Sequence, residues 1–176
     1  MADAEDVLYW LAVVRVEGLG VRGAHKLVEH FGSPQAAYMA SLTELEGCGL
    51  PAHVAQAVFA QAGLKDAEKE IEAATKADCQ LVTLASANYP PLLKQIPDPP
   101  LVLYVRGDVK VLSLNAVAMV GTRRPTAYGS SVAHRLASDL AQRGLVIVSG
   151  MARGIDSAAH RGALEAKGRT VAVQGR

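Results

Sequence analysis

Apolar positions in the first part of the chain recur three and four residues apart, and glycines interrupt them. Leu8, Leu11, Ala12 and Val16 share one helical face; the pattern breaks at Glu17-Gly18-Leu19-Gly20 and resumes with Ala24, Leu27, Val28 and Phe31. Ser33 followed by Pro34 reads as an N-cap with proline at the first helical position, and Ser41 with Glu44 fits a capping box. A second break, Glu46-Gly47-Cys48-Gly49, repeats the first at an offset of 29 residues, and another helical pattern follows it. Residues 1–77 are therefore expected to form a helical domain built from two helix-hairpin-helix units in tandem.

Residues 78–115 read as a connector. Leu81 to Leu84 is a short strand, the prolines of Asn88-Tyr89-Pro90-Pro91 forbid helix, and Ile96-Pro97-Asp98-Pro99-Pro100 leads into a second strand, Leu101 to Val105. Arg106-Gly107-Asp108 reads as the turn that ends it. From Ala116 the pattern becomes β-α-β-α-β. Ala116 to Val120 is an apolar run without alternation, as expected of a parallel strand covered on both faces. Val132, Leu136 and Leu140 supply the expected buried stripe of the next helix, and Leu145 to Val148 the next strand. Gly154 to Ala166 is expected to be a helix whose small residues let it pack closely on the sheet, and Thr170 to Val173 a third strand. The fold class is α/β: a helical domain, then a truncated parallel Rossmann-like sheet over residues 116–176, with fewer strands than such sheets usually carry.

Composition changes this picture in one respect. Half of the 176 residues are apolar, so a core can form, and the net charge is only +1. That near-neutrality hides a split: residues 1–115 hold nine Lys/Arg against fourteen Asp/Glu, whereas residues 116–176 hold nine against three. Eight of the nine cations in the second part are arginine, whose planar fork grips phosphate bidentately. A polyanion is the expected partner. No apolar run is long enough to span a bilayer, and the opening Met1-Ala2-Asp3-Ala4-Glu5-Asp6 is acidic where a signal peptide is basic, so a cytoplasmic location and no membrane partner are expected. Cys48 and Cys79 have neither CxxC spacing nor histidines at zinc-finger distances; they read as small hydrophobes, and no metal or cofactor is expected.

In an open parallel sheet, ligands bind beyond the carboxyl ends of the strands, where helix N-termini offer unpaired N–H groups. Two loops arrive at that edge. The first runs Gly121-Thr122-Arg123-Arg124-Pro125-Thr126-Ala127-Tyr128-Gly129, and the second Ser149-Gly150-Met151-Ala152-Arg153-Gly154-Ile155-Asp156. Each combines glycines, a hydroxyl and arginine at a helix start, and the first adds a tyrosine ring that can stack on a base. The candidate phosphate and single-stranded-DNA contacts are Gly121, Thr122, Arg123, Arg124, Tyr128, Gly129, Ser149, Gly150, Met151, Arg153 and Gly154. Neither loop has the glycine spacing of a dinucleotide site or the lysine of a P-loop. Ser149, Asp156 and His160 do not read as a hydrolase triad: Asp156 and His160 are four apart on one helix, a spacing expected of a helix-stabilising pair, and no nucleophile elbow surrounds Ser149. His25, His30, His53 and His134 read as surface or satisfied positions. The glycine turns of the helical domain could also face a phosphate, but Glu17 and Glu46 stand directly before them, which favours a structural or protein-docking role there.

Asn88-Tyr89-Pro90-Pro91-Leu92-Leu93 through Ile96 to Gly107, Val120-Gly121-Thr122-Arg123 with Tyr128-Gly129, and Ser149 to Asp156 with Ala159-His160 resemble, in that order, the motifs of DprA/Smf DNA-processing proteins. The helical front resembles that family's sterile-alpha-motif or helix-hairpin-helix-like domain. The resemblance implies single-stranded DNA binding during natural transformation, protection of that DNA, help in loading the recombinase RecA, a tendency to form a homodimer at full length, and no known catalytic activity. It carries the family's two phosphate loops onto Gly121, Thr122 and Arg123, and onto Ser149, Gly150, Ala152, Arg153 and Gly154. The family's sheet continues further, and Gln174-Gly175-Arg176 departs from its pattern, so the chain is expected to be truncated or frame-shifted, and a three-strand remnant to be marginally stable. The alternative from another class is a nucleotide hydrolase of the lysine-decarboxylase-like or LOG type, whose P-G-G-x-G-T-x-x-E string does not occur here. A third reading makes the acidic helical region a protein-docking scaffold.

Overall fold

The computed structural model describes residues 4–175; Met1 to Asp3 and Arg176, which carry part of the expectations about the two ends, lie outside the described residues. The chain divides into two compact units between Val109 and Lys110.

In the first unit, six α-helices are present among the described residues: α1 (Ala4–Val13), α2 (Gly20–Phe31), α3 (Pro34–Met39), α4 (Leu42–Gly47), α5 (Ala52–Phe59) and α6 (Leu64–Lys76). Both glycine breaks fall between helices as the periodicity predicts. Ser33 Oγ accepts from the Ala36 amide, and Ser41 and Glu44 form the full reciprocal box, whose hydrogen bonds hold the Glu44 carboxyl below its ordinary range. Leu11, Leu27, Leu45, Val54 and Val58 are fully enclosed at the centre.

Two strands, β1 (Gln80–Thr83) and β2 (Val102–Val105), pair antiparallel after α6. Between them Tyr89 is buried and its hydroxyl donates to Pro100 O at 2.7 Å, closing the proline-rich excursion. The 78–115 segment is not a free-standing connector. Leu101 is buried in the helical core, and Leu81, Leu84 and Val102 pack against it, because an isolated two-stranded hairpin has too little apolar area to stand alone.

The second unit is the expected β-α-β-α-β: β3 (Ala116–Ala118), α7 (Ala127–Gln142), β4 (Val146–Gly150), α8 (Ile155–Glu165) and β5 (Thr170–Val173). The strands are parallel in the order β3-β4-β5, with Ala116 opposite Val146 and Ile147 opposite Thr170. Two successive right-handed crossovers in one direction put both helices on one face of the sheet, where Ala137, Ala141, Ile147, Ala159 and Ala163 form the core.

That arrangement corrects two sequence expectations. Ala116 and Ala118 are exposed, so β3 is not covered on both faces. Val132 and Leu136 do not form the buried stripe of α7; they are 44% and 48% exposed, and the helix buries Ala133, Ala137 and Ala141 instead. The reason is the distance between the helices. A Cβ on Gly162 of α8 would lie 2.1 Å from the His134 carbonyl oxygen of α7, so the two backbones touch and only alanine-sized side chains fit beside that point. The small face of α8 therefore serves helix-on-helix packing as well as the sheet.

Gly162→Ala tests this constraint. A backbone carbonyl cannot rotate away, so the helices must separate, at a cost of about 1–3 kcal/mol. The gain in helix propensity, about 1 kcal/mol, offsets only part of it. The variant is expected to unfold at a lower urea concentration than the parent by circular dichroism.

Candidate nucleic-acid interface

The loops leaving β3 and β4 each run directly into a helix, and they touch. The Ile155 amide donates to Thr122 O at 3.2 Å. Gly154 sits at φ +90°, and a Cβ there would lie 2.3 Å from Thr122 O and 2.8 Å from the Arg123 carbonyl carbon. A Cβ on Gly121 would meet the Ile155 side chain at 2.6 Å. Glycine is needed at 154 for both reasons at once, since its backbone angle disfavours any side chain and the neighbouring loop leaves no room for one.

Around this junction Arg123, Arg124, Ala152 and Arg153 line an open hollow of about 430 Å³. All three arginines are exposed, and none is ion-paired with a described residue. Tyr128, in the first turn of α7, is 80% exposed, and Met151 on the second loop is exposed as well. Each can lie against a ring without moving anything else.

The remaining candidates are placed differently. Ser149 is only 3% exposed and donates to Met119 O at 2.6 Å, so its hydroxyl ties β4 to the residue after β3 and is out of a ligand's reach. Thr122 Oγ1 accepts from the Arg124 amide at 3.1 Å, and Thr126 Oγ1 caps α7 by accepting from the Gly129 amide at 3.1 Å. Gly150 presents its carbonyl oxygen to His160. Several amides that could have faced a phosphate are thus engaged within the loops, and the guanidinium groups are left as the dominant feature of the hollow.

Asp156 and His160 do not pair with each other. Asp156, 8% exposed, accepts from the Ala152 amide at 3.3 Å and braces the second loop from behind. His160 Nε2 donates to Gly150 O at 2.8 Å, and its Nδ1 lies 2.7 Å from Thr170 Oγ1, which donates to Ile147 O. With the Ser149 hydroxyl turned to Met119, the three side chains form no relay. Their supporting role was hidden because i to i+4 spacing records only that two residues share a helix face, not what the face meets. Among the described residues, no group of three or more His, Cys, Asp or Glu side chains is arranged to hold a metal ion, and no helix is long and apolar enough to cross a membrane.

Comparison with known proteins agrees with this architecture. Residues 80–176, just over half of the chain, match the family described as DNA recombination-mediator protein A. The DNA processing protein DprA of Bacillus subtilis is 46% identical over 93 residues, which cover 52% of this chain and 31% of that protein. Protein Smf of Synechocystis is 35% identical over 182 residues, covering 99% of this chain and 45% of its own length. The X-ray structure of DNA processing protein A from Streptococcus pneumoniae superposes with a TM-score of 0.77 at 27% identity, over 94% of this chain and 56% of the other. The chain thus spans less than half the length of these two curated relatives. With the family match running over more than half of the chain and a like fold in a solved relative, the chain belongs to the DprA/Smf family, the DNA recombination-mediator protein A family.

Proposed function

We propose that the second unit binds single-stranded DNA at the rim where its two loops meet. The observation that carries this reading is the cluster of Arg123, Arg124 and Arg153 around one hollow, without a carboxylate partner among the described residues. Three like charges held together raise the energy of the empty site, and a phosphodiester chain relieves it. Tyr128 and Met151, both exposed on the same two loop-helix segments, offer faces on which bases can lie, and stacking of that kind tolerates any sequence. A duplex holds its bases inside the helix and cannot use them, so single strands are preferred.

Membership of a DNA-processing family supports the same reading. The proposal extends to protection of single-stranded DNA taken up in natural transformation, delivery of that DNA to the RecA recombinase and dimerisation of the full-length protein in the cytoplasm. The proposed role is binding rather than catalysis. No observation favours the nucleotide-hydrolase alternative.

Replacing Arg123 with Ala is expected to weaken binding to all single-stranded sequences alike. It should also flatten the log–log salt dependence by roughly 0.7, the value for one phosphate contact on a single strand. Fluorescence anisotropy across a salt series checks this, and equal affinity and slope for variant and parent would remove Arg123 from the site. A second test leaves the charges alone. Gly154→Ala should force the loops apart, speed hydrogen exchange at the Ile155 amide and lower DNA affinity together. Weakened binding with the Ile155 amide still protected would show that the loop junction does not set the arginine positions.

A further inference from the structure

A second hollow, of about 390 Å³, lies on the same unit between α7 and α8, just past the loops. Ser130, Ser131 and His134 line it from α7, and Ala158, Arg161 and Glu165 from α8. Arg161 is exposed, and its Nε donates to Ser157 O at 3.2 Å, which fixes the stem of the side chain. The two terminal nitrogens of its guanidinium have no partner among the described residues. The one carboxylate in the hollow, Glu165, is engaged by His134 Nε2 at 2.9 Å.

We infer that this groove is a second phosphate subsite, in which Arg161 and the hydroxyls of Ser130 and Ser131 hold the backbone of the same strand as it leaves the loops. The inference rests on the reading of the loop rim as the primary site, and it adds a direction to the strand's path. Arg161 lies six residues beyond the start of α8, a rise of about 9 Å. At the stacked spacing of about 3.4 Å per nucleotide, that is roughly three nucleotides from the rim. Both helices begin at the rim, so a strand seated on Arg123 and Arg153 can continue along the furrow between them without a sharp turn. A guanidinium anchored through Nε presents its remaining N–H groups as a preformed fork, and hydroxyls that can rotate suit phosphate oxygens arriving at no fixed register. The His134–Glu165 pair lessens the repulsion that Glu165 alone would exert.

The test uses the full chain and two probes in salt-series anisotropy: a phosphorylated thymidine dinucleotide, which reaches the rim only, and an oligothymidylate of about twelve residues, within the range one binding fold can cover. Arg161→Ala should weaken binding of the long probe and flatten its salt slope by roughly 0.7, leaving the dinucleotide unchanged. Glu165→Gln should move the long probe the other way, to tighter binding, again without effect on the dinucleotide. If both variants match the parent on the long probe while Arg123→Ala weakens both probes, the groove is overturned and the rim stands. If Arg123→Ala matches the parent on both, the rim reading fails and the continuous path fails with it.

Discussion

The contact on which the second unit depends is the approach of α7 and α8 to backbone distance. Gly162 lies under the His134 carbonyl, and the alanines of both helices close around that point. Helices this close begin close together, and each begins where a loop leaves the sheet. The meeting of the loops, with the Ile155 amide on Thr122 O and Gly154 against the Arg123 backbone, therefore follows from packing about two turns away. The arginines are brought together by a contact between small apolar residues, not by any attraction of their own.

This explains which parts of the fold were legible in the sequence. The order of elements was, because strand runs, glycine stops and the caps at Ser33 and Ser41 are local signals that tertiary structure did not overrule. The buried face of α7 was not. Val132 and Leu136 carry more apolar area than Ala133 and Ala137, and burial energy scales with area, so the larger residues look like the core. Their exclusion follows from Gly162, thirty residues away from Val132, which sets a spacing that only methyl groups can fill. The same limit applies to Leu101: its neighbours in sequence suggest a connector strand, and its burial comes from helices far earlier in the chain.

The candidate site was legible in its charge and less so in its division of labour. Arginine at the two loop positions is a sequence fact, and the geometry adds that the three side chains share one hollow. The hydroxyls and amides could not be assigned in advance, because each has a competing partner that only the folded chain supplies. Ser149 goes to Met119, Thr122 to its own loop, Thr126 to the helix it caps, and the Ala152 amide to Asp156. The loops use their neutral hydrogen-bonding groups to hold their shape and leave the guanidiniums without an ion pair among the described residues.

That division has an energetic consequence for the unit as a whole. On the proposed reading phosphate is recognised mainly by charge, which is screened over about 8 Å at physiological ionic strength, so only cations gathered within that radius act on the same stretch of strand. The cations around the hollow repel one another when nothing is bound, so the empty unit carries an electrostatic strain that the small-residue packing of α7 on α8 must withstand. Any ligand that binds the folded form alone then stabilises it, by about 2.7 kcal/mol at a hundredfold excess over its dissociation constant. On the proposed reading, binding and folding of this unit are coupled through the same two helices: the packing that holds the arginines against their mutual repulsion is reinforced when a polyanion removes it.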